Sequence, residues 1–129
     1  MGSPPNVADA SALLALVLGE HGADVVAEIL PQAVCSAVNW SEFAQKAAQR
    51  GVEHQRAGIY FVGLGMTIVP FDQGDAEHAA RIWERTRVAG LSLGDRACLA
   101  LALRLGAPAY TADRSWASLD LGIDIRTIR

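Results

Sequence analysis

The chain reads as an α/β protein: a three-layer α/β/α sandwich whose central parallel sheet has four or five strands. Two observations predict it. Short apolar runs recur at Asn6–Ala8, Ala33–Ser36, Met66–Val69 and Pro108–Thr111, and segments with helical periodicity separate them. Strands joined through helices pair in parallel, and the helices cover both faces of the sheet.

The elements follow in order. Asn6 to Ala8 is the end of a short first strand. Ser11 to Leu18 opens a helix that Gly19 and Gly22 break. Ala23 to Leu30 resumes with Val25, Val26, Ile29 and Leu30 on one face. Ala33 to Ser36 is the second strand, and a helix runs from it to about Arg50, where Gly51 stops it. Glu53 to Gly65 reads as a further helix, weakened by Gly58 and Gly63. Met66 to Val69 is the third strand, ended by Pro70. Asp72 caps the next helix with Asp75 three residues on. Ala76, Ala79, Ala80 and Trp83 give that helix an i, i+3, i+4, i+7 stripe, with the pair Glu77 and Arg81 on its other face. Ser92 opens another helix and Gly106 follows its end. From Ala97 to Leu103 it is apolar all round, which predicts a central, buried helix. Pro108 to Thr111 is the fourth strand. Ile123 to Ile128 alternates isoleucine with polar residues, as an edge strand does.

A length of 129 residues implies one domain, residues 1–129. At 51% hydrophobic it has enough apolar mass for a core, and at 6% aromatic that core is mostly Ala, Leu, Val and Ile. The opening MGSPPN reads in part as a remnant of expression, so residues 1–5 are set apart from the fold. A net charge of −3 counts against broad nucleic-acid binding through a basic surface, although it leaves room for a local basic patch. All basic residues but Lys46 are arginine. Arginine suits bidentate contact with phosphate or carboxylate, and a GC-rich genome produces the same bias. Cys35 and Cys98 lie in apolar runs without C-x-x-C spacing, which predicts buried free thiols in a reducing compartment. The longest apolar run, Ala10 to Leu18, is too short for a membrane span. Asp9 precedes it and no Lys or Arg does, so it does not fit a signal peptide. A cytoplasmic protein is expected.

Four acids stand just past strand ends or at helix starts: Asp9 in "VADASALLAL", Glu42 in "CSAVNWSEF", Asp95 in "LSLGDRACLALA" and Asp113 in "APAYTADRSW". In an open parallel sheet those places share one edge, where ligands bind. Carboxylates brought together there raise each other's pKa and repel. A divalent cation removes the conflict, and oxygen-only ligation with no matching His or Cys favours Mg²⁺ or Mn²⁺. Such an ion activates water and neutralises charge on a phosphodiester; two ions about 3.5–4 Å apart stabilise both attacking and leaving oxygens. Helix N-termini nearby add partial positive charge for a phosphate. The pattern therefore points to metal-assisted phosphodiester hydrolysis. Asp9 and Asp95 are expected as the main ligands, with Glu42 and Asp113 completing the site partly through water. Each acid also has a plainer reading. Asp95 fits a capping box with Ser92, Asp9 and Asp113 fit helix caps, and Glu42 fits an ordinary surface glutamate.

The segments "DASALLALVLGEHGADVVAEIL", "CSAVNWSEFAQKAAQRG", "LSLGDRACLALALRLGAPAYTADRSW" and "LGIDIRTIR" resemble the PIN-domain ribonucleases, above all the VapC-type toxins of bacterial toxin–antitoxin pairs. The resemblance runs from about Val7 to Arg129 and is most specific from Leu91 to Trp116. It implies strand order 3-2-1-4-5 and endoribonuclease cleavage of RNA with Mg²⁺ or Mn²⁺. The family's acids map onto Asp9, Glu42, Asp95 and Asp113. Its accompanying polar residues correspond to Ser11 and Thr111, which would orient carboxylates or water. Asn39 would support the turn that carries Glu42, or else cap a helix. Arg96 and Arg114 would contact the RNA backbone, or else pair with the aspartates beside them. The resemblance also implies a homodimer and a small antitoxin that wraps the toxin. The apolar helices at Val25–Leu30 and Ile59–Leu64 offer surfaces for such partners, although core packing is the favoured reading for most of these side chains. One departure stands out. Family members usually begin with a continuous aliphatic strand, whereas "PPNVAD" is short, with Pro5 upstream and small Ala8. That leaves the start of the strand open, not Asp9.

His21, His54 and His78 lack ligand spacing and read as surface residues. Among the tryptophans, which suit stacking on RNA bases, Trp83 reads as core or interface, and Trp40 and Trp116 stay open. Asp72 and Asp75 read as helix-start residues, and Asp120 and Asp124 as solvated beside Gly122. The competing function is a catalytically inactive PIN-like protein-binding module. A phosphoacceptor receiver domain would need a lysine at a late strand end, but Lys46 is mid-helix. A haloacid-dehalogenase-type phosphatase would need D-x-D where Asp9-Ala10-Ser11 stands.

Overall fold

A computed structural model describes residues 2–129. Its five strands are β1 (Asn6–Ala8), β2 (Ala33–Ser36), β3 (Thr67–Val69), β4 (Ala109–Thr111) and β5 (Ile125–Thr127). They form one sheet in the order β3-β2-β1-β4-β5, every pair parallel. The α/β sandwich and the 3-2-1-4-5 order are as expected. β1 is indeed short, yet it is the central strand, flanked by β2 and β4. β5 is an edge strand, as its alternation predicted.

Six α-helices connect and cover the sheet: α1 (Ala10–Leu18), α2 (Ala23–Ile29), α3 (Ala37–Gln49), α4 (His54–Gly63), α5 (Gln73–Thr86) and α6 (Leu93–Leu105). The pleat sends alternate strand residues to opposite faces. Ala8 and Tyr110 join one core with Leu13, Val26, Phe43 and Phe61. Val7 and Ala109 join the other with Ile82, Leu99, Leu101 and Trp116. Burying each such Leu, Ile or Phe contributes about 1.5–3 kcal/mol. The predicted central helix is α6, buried from Ala97 through Ala102. Gly19 ends α1 in the left-handed region, at φ 65°. Gly22 sits at φ 99°, and a methyl there would stand 2.7 Å from the Ile128 carbonyl oxygen, so the break between α1 and α2 admits only glycine.

Two expectations fail here. The stripe Ala76–Ala79–Ala80–Trp83 is not the buried face of α5; the buried face is Asp75, Ala79, Ile82 and Thr86. Alanine discriminates weakly between core and water, so Ile82 outweighs it, and Asp75 is drawn inward by Arg104 at 3.1 Å. Trp83 is 47% exposed with Arg87 over its ring. Trp116 is fully buried and so is unavailable for stacking on bases. In α4, Ala57 and Phe61 face inward, but Ile59, Tyr60, Val62 and Leu64 are exposed rather than core. The Val25–Leu30 segment does pack inward, through Val26 and Leu30. Both cysteines are buried and free, as expected. Among the described residues, no helix is long and apolar enough to cross a membrane.

Candidate active site

Asp9 immediately follows β1 and caps α1. Its Oδ1 accepts hydrogen bonds from the Ala12 backbone N–H at 2.9 Å and from the Ser11 hydroxyl at 2.7 Å. Its Oδ2 accepts from the Thr111 hydroxyl at 2.6 Å. The two hydroxyls also accept from the far strand's continuation: Ser11 Oγ from the Ala112 N–H and Thr111 Oγ1 from the Asp113 N–H. Ser11 and Thr111 thus hold the Asp9 carboxylate in place and fasten the ends of β1 and β4 together. Burial pushes the Asp9 carboxyl up to about 6; its three donors oppose the rise, and the charge of Asp95 adds to it.

Asp95 lies in the first turn of α6. It closes a capping box: Ser92 N–H donates to Asp95 Oδ2 at 3.0 Å, and Asp95 N–H donates to Ser92 Oγ at 3.1 Å. The capping reading of Asp95 therefore holds, and its charge also reaches Asp9. Glu42 lies in the second turn of α3, 3.5 Å from Lys46 Nζ. A methyl placed on Gly94 would stand 3.0 Å from Glu42 Oε1, so the first turn of α6 runs close against this carboxylate. Burial holds the thiols of Cys35 and Cys98 high, and nearby carboxylates raise them further: Asp9 and Glu42 act on both, Asp95 on Cys98. Asp9, Glu42 and Asp95 thus place negative charge near both thiols and disfavour their ionisation.

Asp113 is exposed and turned onto its own loop. Its Oδ1 accepts from the Ser115 N–H at 2.9 Å and the Ser115 hydroxyl at 2.6 Å, capping the 3₁₀ turn Arg114–Ser118. Asn39 is not a helix cap, because Ser36 fills that role for α3. Instead its Nδ2 donates to the Gly94 carbonyl at 2.9 Å, while its Oδ1 is buried with no partner. An orphaned buried acceptor costs about 1–3 kcal/mol, and one hydrogen bond returns about 0.5–1.5 kcal/mol. Arg96 turns away from the acids: its Nη1 donates to the Ala79 carbonyl at 3.0 Å, on α5. It pairs with no aspartate among the described residues, which corrects the expectation of a local ion pair. Arg114 is exposed at the rim, its Nε donating to the Arg129 carbonyl.

Two features escaped the sequence reading. Lys46 stands beside Glu42, and its i,i+4 spacing was the available signal. Gly94 matters through what it leaves open, which no motif marks. An open cleft of about 630 Å³ borders Glu42, lined by Val38, Ser41, Phe71, Ser92 and Gly94 among others.

Among the described residues, no three His, Cys, Asp or Glu side chains converge closely enough to enclose an ion. The donor set nevertheless fits a hard divalent cation whose coordination is completed by water. Asp9, Glu42 and Asp95 offer oxygen alone, and no basic side chain pairs with Asp9 or Asp95 among the described residues.

A family model described as PIN domain matches residues 7–121. Among curated proteins nothing matches. Solved structures share the fold. A toxin–antitoxin complex from Klebsiella pneumoniae superposes with a TM-score of 0.77 at 21% identity, covering 96% of this chain and 98% of that one. VapC20 of Mycobacterium tuberculosis, described as a sarcin–ricin loop cleaving toxin, gives 0.72 at 15% identity over 92% and 98%. DNA-bound VapBC from Salmonella typhimurium gives 0.71 at 14% identity over 98% and 100%.

Proposed function

The chain belongs to the PIN domain family, and from that premise we propose that it is a metal-dependent endoribonuclease, the toxin of a toxin–antitoxin pair acting in the cytoplasm. The observation that carries the reading is Asp9, buried at the carboxyl end of β1, with Asp95 near enough to push its pKa up further rather than neutralise it. Carboxylates held in that way are costly unless a cation joins them. Structural neighbours described as a sarcin–ricin loop cleaving toxin and as toxin–antitoxin assemblies support the same assignment.

When bound, Mg²⁺ or Mn²⁺ supplies Lewis acidity toward water and phosphate oxygens. Asp9 and Asp95 would hold the ion, with Glu42 and Asp113 completing the site. Ser11 and Thr111 keep the Asp9 carboxylate in one orientation by donating to its two oxygens. Arg114, exposed on the loop after Asp113, contacts the RNA backbone; Arg96 is withdrawn from that role by its bond to Ala79. The exposed row Ile59, Tyr60, Val62 and Leu64 on α4 is offered to the antitoxin, and a homodimer is expected.

A second reading, an inactive protein-binding module of the same fold, draws on Asp113, whose carboxylate is engaged by Ser115. One assay separates the two. Purified protein is incubated with total RNA in Mg²⁺ or Mn²⁺, in EDTA, and as Asp95→Asn checked for folding by circular dichroism. Cleavage that requires metal and disappears in the folded variant is the expected result. Absence of cleavage in every condition would favour the binding module.

A further inference from the structure

Asn39 and Gly94 meet where α3 passes the first turn of α6, and neither is explained by packing or capping. Asn39 is 1% exposed, makes one hydrogen bond through Nδ2 to the Gly94 carbonyl, and leaves Oδ1 buried without a donor. Burying an amide for one bond while orphaning its other end is a poor way to gain stability; an apolar side chain of the same branching would bury no unpaired oxygen. Gly94 has the matching property. It sits inside a helix, where alanine is the better former, yet a methyl there would crowd Glu42 Oε1 at 3.0 Å and Glu42 Cδ at 3.4 Å. Both residues are the less stable choice at their positions, and both act on one junction. Asn39 lies three residues before Glu42 on α3, and Gly94 immediately precedes Asp95 on α6.

We infer that Asn39 and Gly94 form a clasp that sets the separation of Glu42 and Asp95 for a shared divalent cation. Asn39 ties α3 to the carbonyl of the residue before Asp95. Gly94 keeps the space into which the Glu42 carboxylate fits. Both are positioning residues: they hold the ligands and do not touch the ion. The inference rests on the proposed metal site.

The test is Mn²⁺ binding to the full chain, read by electron paramagnetic resonance of the free ion, with thermal midpoints measured in parallel without metal. The variants are Asn39→Leu, Gly94→Ala and, as a control on the site itself, Asp95→Asn. The expected result is that Asn39→Leu and Gly94→Ala melt no lower than wild type yet bind Mn²⁺ roughly 10-fold more weakly or worse, the usual scale for residues that orient ligands. A merely structural role would lower the melting midpoint together with affinity, and that outcome overturns the clasp. Retention of Mn²⁺ affinity in both variants, while Asp95→Asn has lost it, also overturns the clasp but leaves the metal site standing. If Asp95→Asn binds like wild type, or wild type binds no Mn²⁺, the site fails and the clasp with it. Should Asn39→Leu not fold, Gly94→Ala decides the question alone.

Discussion

Helices α5 and α6 open on the same device. Asp72 and Asp75 form one capping box, Ser92 and Asp95 the other, and in both the third residue of the helix is an aspartate reaching back to the cap. Their surroundings differ. Asp75 is nearly buried, 3.1 Å from the Arg104 guanidinium, which anchors α5 to the last turn of α6. Asp95 has no cation beside it among the described residues and instead shares its end of the sheet with Asp9. The comparison teaches that a capping motif fixes where a carboxylate stands and not what it does. What differs is what the tertiary fold brings opposite: a guanidinium neutralises one aspartate, and the other is left beside a second carboxylate.

The sharpest way to break this contrast is to neutralise each aspartate in turn. Asp95→Asn is expected to reduce metal-dependent RNA cleavage by at least ~10²-fold, the scale of a lost metal ligand, while Asp75→Asn leaves the rate unchanged; gel-resolved initial rates decide. Equal losses in both would erase the distinction. Binding linkage gives the next effect. At a Mn²⁺ concentration about 100 times its dissociation constant, wild type and Asp75→Asn should gain about 2.7 kcal/mol of stability, and Asp95→Asn should gain none.

The third effect sharpens the electrostatics of the pair that Asp95 forms with Asp9. The folded state raises the Asp9 carboxyl from 3.8 to about 6, so it binds that proton more tightly than the unfolded chain. The stability from this preference is complete below pH 3.8 and is lost as pH rises through about 6. Without divalent ions, Asp9→Asn should therefore exceed wild type by about 3 kcal/mol at pH 7–8, and the gap should close below pH 4. Denaturant titrations across that range in EDTA measure it; a gap independent of pH would show that charge is not the cause. Smaller still, Asp75→Asn should cost about 1 kcal/mol in the same titrations, because Arg104 is half exposed and its pairing is screened. Asp113→Asn should slow cleavage less than ~10-fold, since that carboxylate already serves Ser115 and reaches the ion only through water.

The sheet order and the strand ends were legible because β-strand runs and helical periods are local signals, and the resemblance supplied the order. Asp9 was legible from its place after the first strand, whereas Ser11 and Thr111 came only from the resemblance, because their pairing across 102 residues is fixed by the tertiary fold. The buried face of α5 was not, because a stripe rich in alanine carries too little hydrophobic contrast to fix a helix's rotation. Arg96 was misread for a related reason. Sequence adjacency to Asp95 suggested proximity to its carboxylate, yet successive helical residues point about 100° apart, and Arg96 follows the face that meets α5. Trp116 and the exposed row on α4 depended on which helix covers which, information that exists only in the tertiary packing.

The Asp9 corner joins residues 102 positions apart in the chain. During synthesis Asp9 leaves the ribosome 102 residues before Thr111. Until β4 has emerged, β1 lacks one of its two strand neighbours and Asp9 lacks the hydroxyl on Oδ2. Contacts of such separation form late. A nascent chain therefore carries its acids before the corner that organises Asp9 has formed.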